Sequence, residues 1–384
     1  MEHEPGRAPD RYAVRGALAI GGRLVEGAVI VEHGIISDIR RRSRADAVSE
    51  PTIAAEIVAP GLIDLQVNGG FGREVGPDDD AIPHLARHLP RTGVTAFLPT
   101  LISSPAPLYA KVFADIAAAS NAAGARPLGL HLEGPFLSPA RRGAHPLSVI
   151  EAADDQLFER ILANDDVLLV TLAAERAGGL DRIHRLVERG VVVSLGHTDG
   201  SFAEMAAGAD AGATMATHLF NAMSPFTQRE PGAIGASLVD DRLTVGLIAD
   251  GVHCHPAAIE LALRAKGLDR IALVSDMVSA AGMGPGAYSL GGRPVAVDET
   301  SVRLPDGTLA GSILTMDQAV RNLVNWGLLT PARAIKLATE VPARVLGRSE
   351  LGQIAVGRRA DLTLFNHELR ATVTIVGGEV VYQR

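Results

Sequence analysis

Cysteine is almost missing from this chain: Cys254 is the only one in 384 residues. No disulfide can form within the chain, which fits a reducing compartment. Long apolar runs are missing too, since no stretch reaches the roughly 18 residues that suggest a membrane-spanning helix. The opening MEHEPGRAPDRY has no apolar stretch of the secretory kind, so a soluble, cytoplasmic protein is expected. There is no excess of cations either: 36 Lys and Arg against 44 Asp and Glu give a formal charge of −8. Phosphate-backbone affinity comes from clustered Lys and Arg, so a general nucleic-acid surface is excluded and any phosphate must be gripped locally. The glycines of GGFG (Gly69 to Gly72) and GMGPG (Gly282 to Gly286) match neither a P-loop nor a dinucleotide fingerprint, and read as turns.

What is present is enough apolar material, 47% of residues, for a large core. Between about Ala59 and Leu346 strand and helix patterns alternate. Eight strands are expected, at Ile57 to Leu65, Val94 to Thr100, Leu128 to Leu132, Val167 to Leu172, Val191 to Leu195, Ala213 to Thr217, Leu243 to Ala249, and Ile271 to Ser275. Helices are expected at Ala81 to Arg91, Ala106 to Ala123, Ser148 to Leu162, Leu180 to Arg189, Phe202 to Ala209 and Pro256 to Ala265. Such alternation implies a parallel sheet, and eight repeats favour closure into a (β/α)8 TIM-like barrel over a doubly wound open sheet. Short alternating β segments precede and follow it and cannot bury both faces alone. The economical arrangement joins them in one small β-sandwich domain, with residues 1–58 and 347–384 contributing and residues 59–346 forming the barrel.

Four of the expected strands end in ionisable groups: Glu133 after Leu128 to Leu132, His197 after VVVSLG, His218 after ATMAT, and Asp276 after IALVS. Taken singly, a strand-end histidine is more often a hydrogen-bonded structural residue, and an Asp before a polar loop is often a cap. Jointly they suggest one metal-dependent site at the mouth of a barrel, with Glu133, His197 and His218 as three ligands leaving an open position for water. Asp276 would then take the proton of that water and later deliver it to a leaving group. Cys254, between His253 and His255, resembles a ligand cluster, but such neighbours in a loop would not all face one ion.

The motifs APGLIDLQVNGGFG (Ala59 to Gly72), GLHLEGPFLSPARRGAH (Gly129 to His145), SLGHTDG, THLFNAMSPF, REPGAIGA, ADGVHCH, SDMVSAAG and DGTLAGSILTM (Asp306 to Met316) give the chain its resemblance. It resembles the amidohydrolase superfamily and, within it, the N-acetylglucosamine-6-phosphate deacetylases. That resemblance implies hydrolysis of the acetamido group of N-acetylglucosamine 6-phosphate, giving glucosamine 6-phosphate and acetate. It implies Glu133, His197 and His218 as metal ligands and Asp276 as general acid and base, with His145 near the substrate carbonyl. Ala144, Asn221, Ala222, Arg229 and His253 are implied to bind the sugar phosphate, and Leu309, Ala310 and Gly311 to line the acetamido side. It further implies a homodimer in which Arg229 and His253 can come from the neighbouring subunit.

Many barrel hydrolases carry His-x-His after the first strand, but this chain has Gln66 and Asn68 there. Neutral amides are weaker zinc ligands than imidazole, so one divalent ion per subunit is expected, zinc by ligand preference, with iron, manganese or cobalt also compatible. Gln66 and Asn68 would hydrogen-bond to water or substrate. Met-Val-Ser follows Asp276 where relatives often have smaller residues, which leaves the galacto epimer, or another N-acyl substrate, as an alternative. A noncatalytic sugar-phosphate binder is the alternative of a different class.

Overall fold

The computed structural model describes residues 9–41, 50–119 and 122–384. Eight parallel strands follow one another around the central sheet: Leu62–Val67, Val94–Ile102, Leu130–Glu133, Val167–Leu172, Val192–Leu195, Met215–Ala216, Thr244–Leu247 and Ile271–Leu273. The segment after the last strand returns to the first. Asp276 N–H donates to the Gln66 carbonyl at 3.0 Å and Asn68 N–H to the Met277 carbonyl at 2.9 Å, closing a barrel. Every residue of Leu62–Val67 and of Val94–Ile102 is buried. Strands packed on both faces read as unbroken apolar runs, which is why their positions show in the sequence.

One expected strand was drawn too long. Ile57 to Leu65 breaks at Gly61: Thr52–Pro60 belongs to the flanking sheet and Leu62–Val67 to the barrel. A Cβ on Gly61 would sit 2.0 Å from Thr95 Oγ1, so only glycine lets the chain pass between the two sheets there. Five expected helices appear with small changes of boundary, at Ala81–His88, Ala106–Ala118, Gly179–Glu188, Phe202–Asp210 and Pro256–Lys266. The sixth, Ser148 to Leu162, is two helices, Leu147–Ala152 and Asp155–Leu162. Asp154 starts the second by accepting Leu157 N–H at 2.9 Å, which ends the first.

The flanking β segments share one seven-stranded sheet, in the order Glu379–Gln383, Ala371–Val376, Leu362–Phe365, Thr52–Pro60, Arg11–Ile20, Arg23–Glu32, Ile35–Arg41. Head meets tail where Leu362–Phe365 runs antiparallel to Thr52–Pro60. The sheet folds over its own core of Tyr12, Val14, Val29, Ile36, Leu362 and Ile375, and Ile36 N–H reaches the Arg358 carbonyl at 2.8 Å. After the eighth barrel strand comes a feature not foreseen from the sequence, an antiparallel sheet of Gly286–Leu290, Arg293–Val297 and Val302–Arg303. No described helix is long and apolar enough to cross a membrane.

Candidate active site

Glu133 is the last residue of its barrel strand, and His197, His218 and Asp276 lie just beyond the ends of theirs. The last three have left-handed backbone, with φ of 48°, 26° and 52°. That conformation is uncommon outside glycine, and it persists only where neighbours hold it. Here the neighbours are the next barrel strand and a later loop: Leu219 N–H bonds to the Gly246 carbonyl at 2.8 Å, and Ser312 N–H to that of Asp276 at 2.8 Å. The sharp turn off each strand brings the side chains back over the barrel axis.

The result is a tight triangle. Glu133 Oε1 is 3.2 Å from His197 Nε2 and 3.1 Å from His218 Nε2, and the two nitrogens are 3.0 Å apart. Among the described residues this is the one group of His, Cys, Asp and Glu able to hold a metal ion. His197 Nδ1 donates to the Arg141 carbonyl at 2.9 Å, which leaves a lone pair on Nε2 directed at the centre of the triangle. Tetrahedral zinc with Zn–N of about 2.0–2.1 Å would set its ligand atoms about 3.3–3.4 Å apart, so the donor set fits a divalent ion with little adjustment.

The electrostatics are those of anions and lone pairs crowded out of water. Burial pushes the Glu133 carboxyl upward, but the His145, His197 and His218 rings set against it outweigh burial and hold the group well below the usual carboxylate range. Burial, then the neighbouring His145, lowers His197 to about 4. For His218 burial acts downward, yet Glu133 and then Asp276 raise it above the ordinary histidine value. Beneath the cluster, His131 is fully enclosed and lowered to about 4 by burial; its Nε2 meets Thr171 Oγ1 at 2.8 Å.

Gln66 joins the two carboxylates of the site. Its Nε2 lies 2.9 Å from Glu133 Oε1 and 2.9 Å from Asp276 Oδ1, and Asn68 Nδ2 reaches the same Asp276 oxygen at 2.7 Å. Asp276 is pushed up to about 7 by burial and by the negative charge of Glu133. Ser103 N–H donates to His145 Nδ1 at 3.1 Å, so the neutral ring carries its proton on Nε2, 3.7 Å from Glu133 Oε2.

These groups share a cavity of about 370 Å³. Ala144, His145, Asn221, Ala222, His253, Leu309 and Gly311 line it with Asn68, the three triangle residues and Asp276. Ala310 is fully buried against the core of the three-stranded sheet and does not line the cavity. Arg229 does not line it either; the residue is exposed, in the same loop as the exposed Phe226. Met277 turns away, its Cε 2.6 Å from where a Cβ on Gly70 would lie, and of the Met-Val-Ser departure only Val278 stands close behind the cavity wall, against Gly311. Cys254 is buried beside Asn221, and burial raises its thiol to about 12, outside the metal group.

Two arginines of the cavity, and an aspartate behind it, were not foreseen from the sequence. Arg141 and Arg303 line it, and Asp250 holds a ring that does: its Oδ2 is 2.6 Å from His253 Nδ1. An Asp-Gly-x-His spacing, with the carboxylate turned back on its own loop, is the signal that could have found the last.

Comparison with known proteins places this geometry among relatives. Residues 57–381 match the model of the amidohydrolase family. The N-acetylglucosamine-6-phosphate deacetylase of Bacillus subtilis is 36% identical over 368 residues, 93% of this chain and 93% of that protein. The N-acetylgalactosamine-6-phosphate deacetylase of Escherichia coli O157:H7 is 37% identical over 332 residues, 85% of this chain and 88% of that one. A solved structure of the Mycobacterium smegmatis N-acetyl-D-glucosamine-6-phosphate deacetylase, in complex with N-acetyl-D-glucosamine-6-phosphate, superposes with a TM-score of 0.90 at 32% identity, covering 98% of this chain and 100% of that chain.

Proposed function

Because the chain belongs to the amidohydrolase family and, within it, to the N-acetylglucosamine-6-phosphate deacetylases, we infer that it hydrolyses the acetamido group of N-acetylglucosamine 6-phosphate to glucosamine 6-phosphate and acetate. It is an enzyme, a hydrolase acting on a linear amide C–N bond. The observation that carries this reading is the convergence of Glu133, His197 and His218 beside Asp276 in one buried cavity.

Glu133, His197 and His218 hold one divalent ion, zinc by the preference of two imidazoles and a carboxylate. When bound, that ion supplies Lewis-acid polarisation and lowers the pKa of water. Where other barrel hydrolases carry the His-x-His that gives a second metal, this chain presents the Gln66 amide, whose N–H donors bridge Glu133 and Asp276, which supports a single ion. Both amides land on Asp276 Oδ1, leaving Oδ2 as the oxygen that receives the proton of the attacking water. Asp276 then gives that proton to the amine as the C–N bond breaks and acetate leaves. His145, with its Nε2–H turned inward, donates to the acetamido carbonyl as negative charge develops there.

The sugar phosphate lies toward Asn221, Ala222 and His253, and the acetamido methyl toward Leu309 and Gly311, with Ala310 packed behind them. Arg229 serves the site of a neighbouring subunit in a homodimer, which its exposure and the exposed Phe226 beside it support. The enzyme works in the cytoplasm. A second reading, the galacto epimer as substrate, draws on the relative of that name. Metal analysis of the purified protein, with acetate release measured on both epimers, tests the proposal. One ion per chain and a higher kcat/KM on the gluco epimer are expected; no acetate from either epimer by the metal-loaded protein would end the reading.

A further inference from the structure

Asp250 has no role in the steps described so far, yet it holds His253, a residue lining the cavity, in a tightly constrained pair. Asp250 Oδ1 accepts the backbone N–H of Val252 and of His253, each at 2.8 Å, so the carboxylate cannot turn. Its other oxygen, Oδ2, lies 2.6 Å from His253 Nδ1. The two side chains are 8% and 6% exposed. A carboxylate oxygen accepts only, so the short contact fixes a proton on Nδ1. The opposite nitrogen, Nε2, is then a bare lone pair in the neutral ring.

A lone pair on Nε2 repels a phosphate oxygen. If His253 meets the phosphate of the substrate, which is the reading given above and on which this step rests, Nε2 must arrive at that contact with its own hydrogen. From this we infer that Asp250 is a positioning residue of the phosphate subsite: by holding Nδ1–H it commits Nε2 to the anion, and it makes binding of a phosphate dianion take up one proton. The carboxylate compensates the imidazolium formed, and the phosphate meets a charged donor. The other titratable groups sharing the cavity are the three ligands, His145, Asp276, Arg141 and Arg303. The proton counted here is additional to the one Asp276 handles in catalysis.

Asp250→Asn separates this arrangement from a merely structural one. The two backbone donors keep the Asn Oδ1, so its Nδ2–H group faces His253 Nδ1 and drives the ring to its Nε2–H tautomer. A neutral donor is then ready at every pH. Between pH 7 and 9, where a phosphomonoester is a dianion, KM of the wild-type holoenzyme for N-acetylglucosamine 6-phosphate is expected to rise toward tenfold per unit. KM of Asp250→Asn should change less than twofold over that range, and neither protein should show the slope with unphosphorylated N-acetylglucosamine. A wild-type slope retained in Asp250→Asn overturns the inference. As a second measurement that needs no change at 250, metal-loaded Asp276→Asn protein is titrated with N-acetylglucosamine 6-phosphate at pH 8 in buffers of different ionisation enthalpy. Uptake of one proton is expected, and uptake of none refutes it. His253→Asn tests the underlying reading separately: if it leaves KM for the phosphorylated sugar unchanged, His253 is not a phosphate contact at all.

Discussion

At the scale of single residues, the site is held by amides that let two carboxylates share a dry space. Glu133 and Asp276 would repel one another without the Gln66 N–H group between them. Replacing Asp276 by Asn keeps that geometry and removes the proton acceptor. Asp276→Asn is therefore expected to retain its metal while kcat falls by roughly 10²–10⁴, checked by metal analysis beside acetate release. The pH profile follows from the same group. Burial and Glu133 push Asp276 up to about 7, and a cation on Glu133 draws it back down, so the acid limb of kcat/KM should lie below pH 7. Activity rises with pH along that limb because the working form is the carboxylate; a limb above pH 7 would mean that no cation screens the pair. The four strand-end groups were legible because an ionisable residue closing an apolar run stands out. What Gln66 and Asn68 bond to was not, because those partners come from strands distant in the chain. Asp250 next to Gly251 reads as a turn residue until its carboxylate is seen against His253.

At the scale of elements, the three-stranded sheet is the part most in need of anchoring. It brings Leu290, Arg303 and the Gly307–Leu309 turn to the cavity. Two contacts tie its first hairpin down: Arg293 Nη1 donates to the Ala144 carbonyl at 3.0 Å, and Gly291 N–H donates to the Glu74 carboxyl. Burial pushes Glu74 up to about 7, from an unfolded value of 4.5. A carboxyl raised on folding contributes stability that is fully present below its unfolded value and is lost as pH rises through its folded one. The contribution lost between about pH 4.5 and 7 amounts to roughly 3 kcal/mol. Gln in its place can still accept from Gly291 and never ionises. Glu74→Gln should therefore match wild type in thermal melting at pH 5 and melt several degrees higher at pH 8; equal melting at both pH values would mean that Glu74 is not buried as described. All eight barrel strands were legible because both faces are covered. The helix Gly232–Val239 was not, being apolar and small all round, with no polar face to give it a period. Met316–Asn325 does carry that period, in Met316, Ala319, Val320 and Leu323, and could have been found.

At the scale of the whole molecule, the open question is how a dianionic substrate is held when Arg229 lies outside the cavity of its own chain. The family resemblance carried the expectation of a partner-supplied arginine, but position in space cannot be read from REPGAIGA. The exposed loop with Phe226 and Arg229 turns that expectation into an experiment on subunits. Arg229→Ala should raise KM for the phosphorylated sugar at least tenfold and leave turnover of unphosphorylated N-acetylglucosamine unchanged. Asp276→Asn should bind normally and turn over poorly. In a symmetric dimer each surface patch meets its own copy, so a mixed dimer of the two variants contains one site with both defects and one with neither. Random reassortment of equal amounts then restores wild-type kinetics at about a quarter of the sites. If Arg229 instead served the cavity of its own chain, each site of the mixed dimer would keep one defect. Activity would then be the average of the two parents. Recovery well above that average, at substrate below the KM of Arg229→Ala, is the expected result.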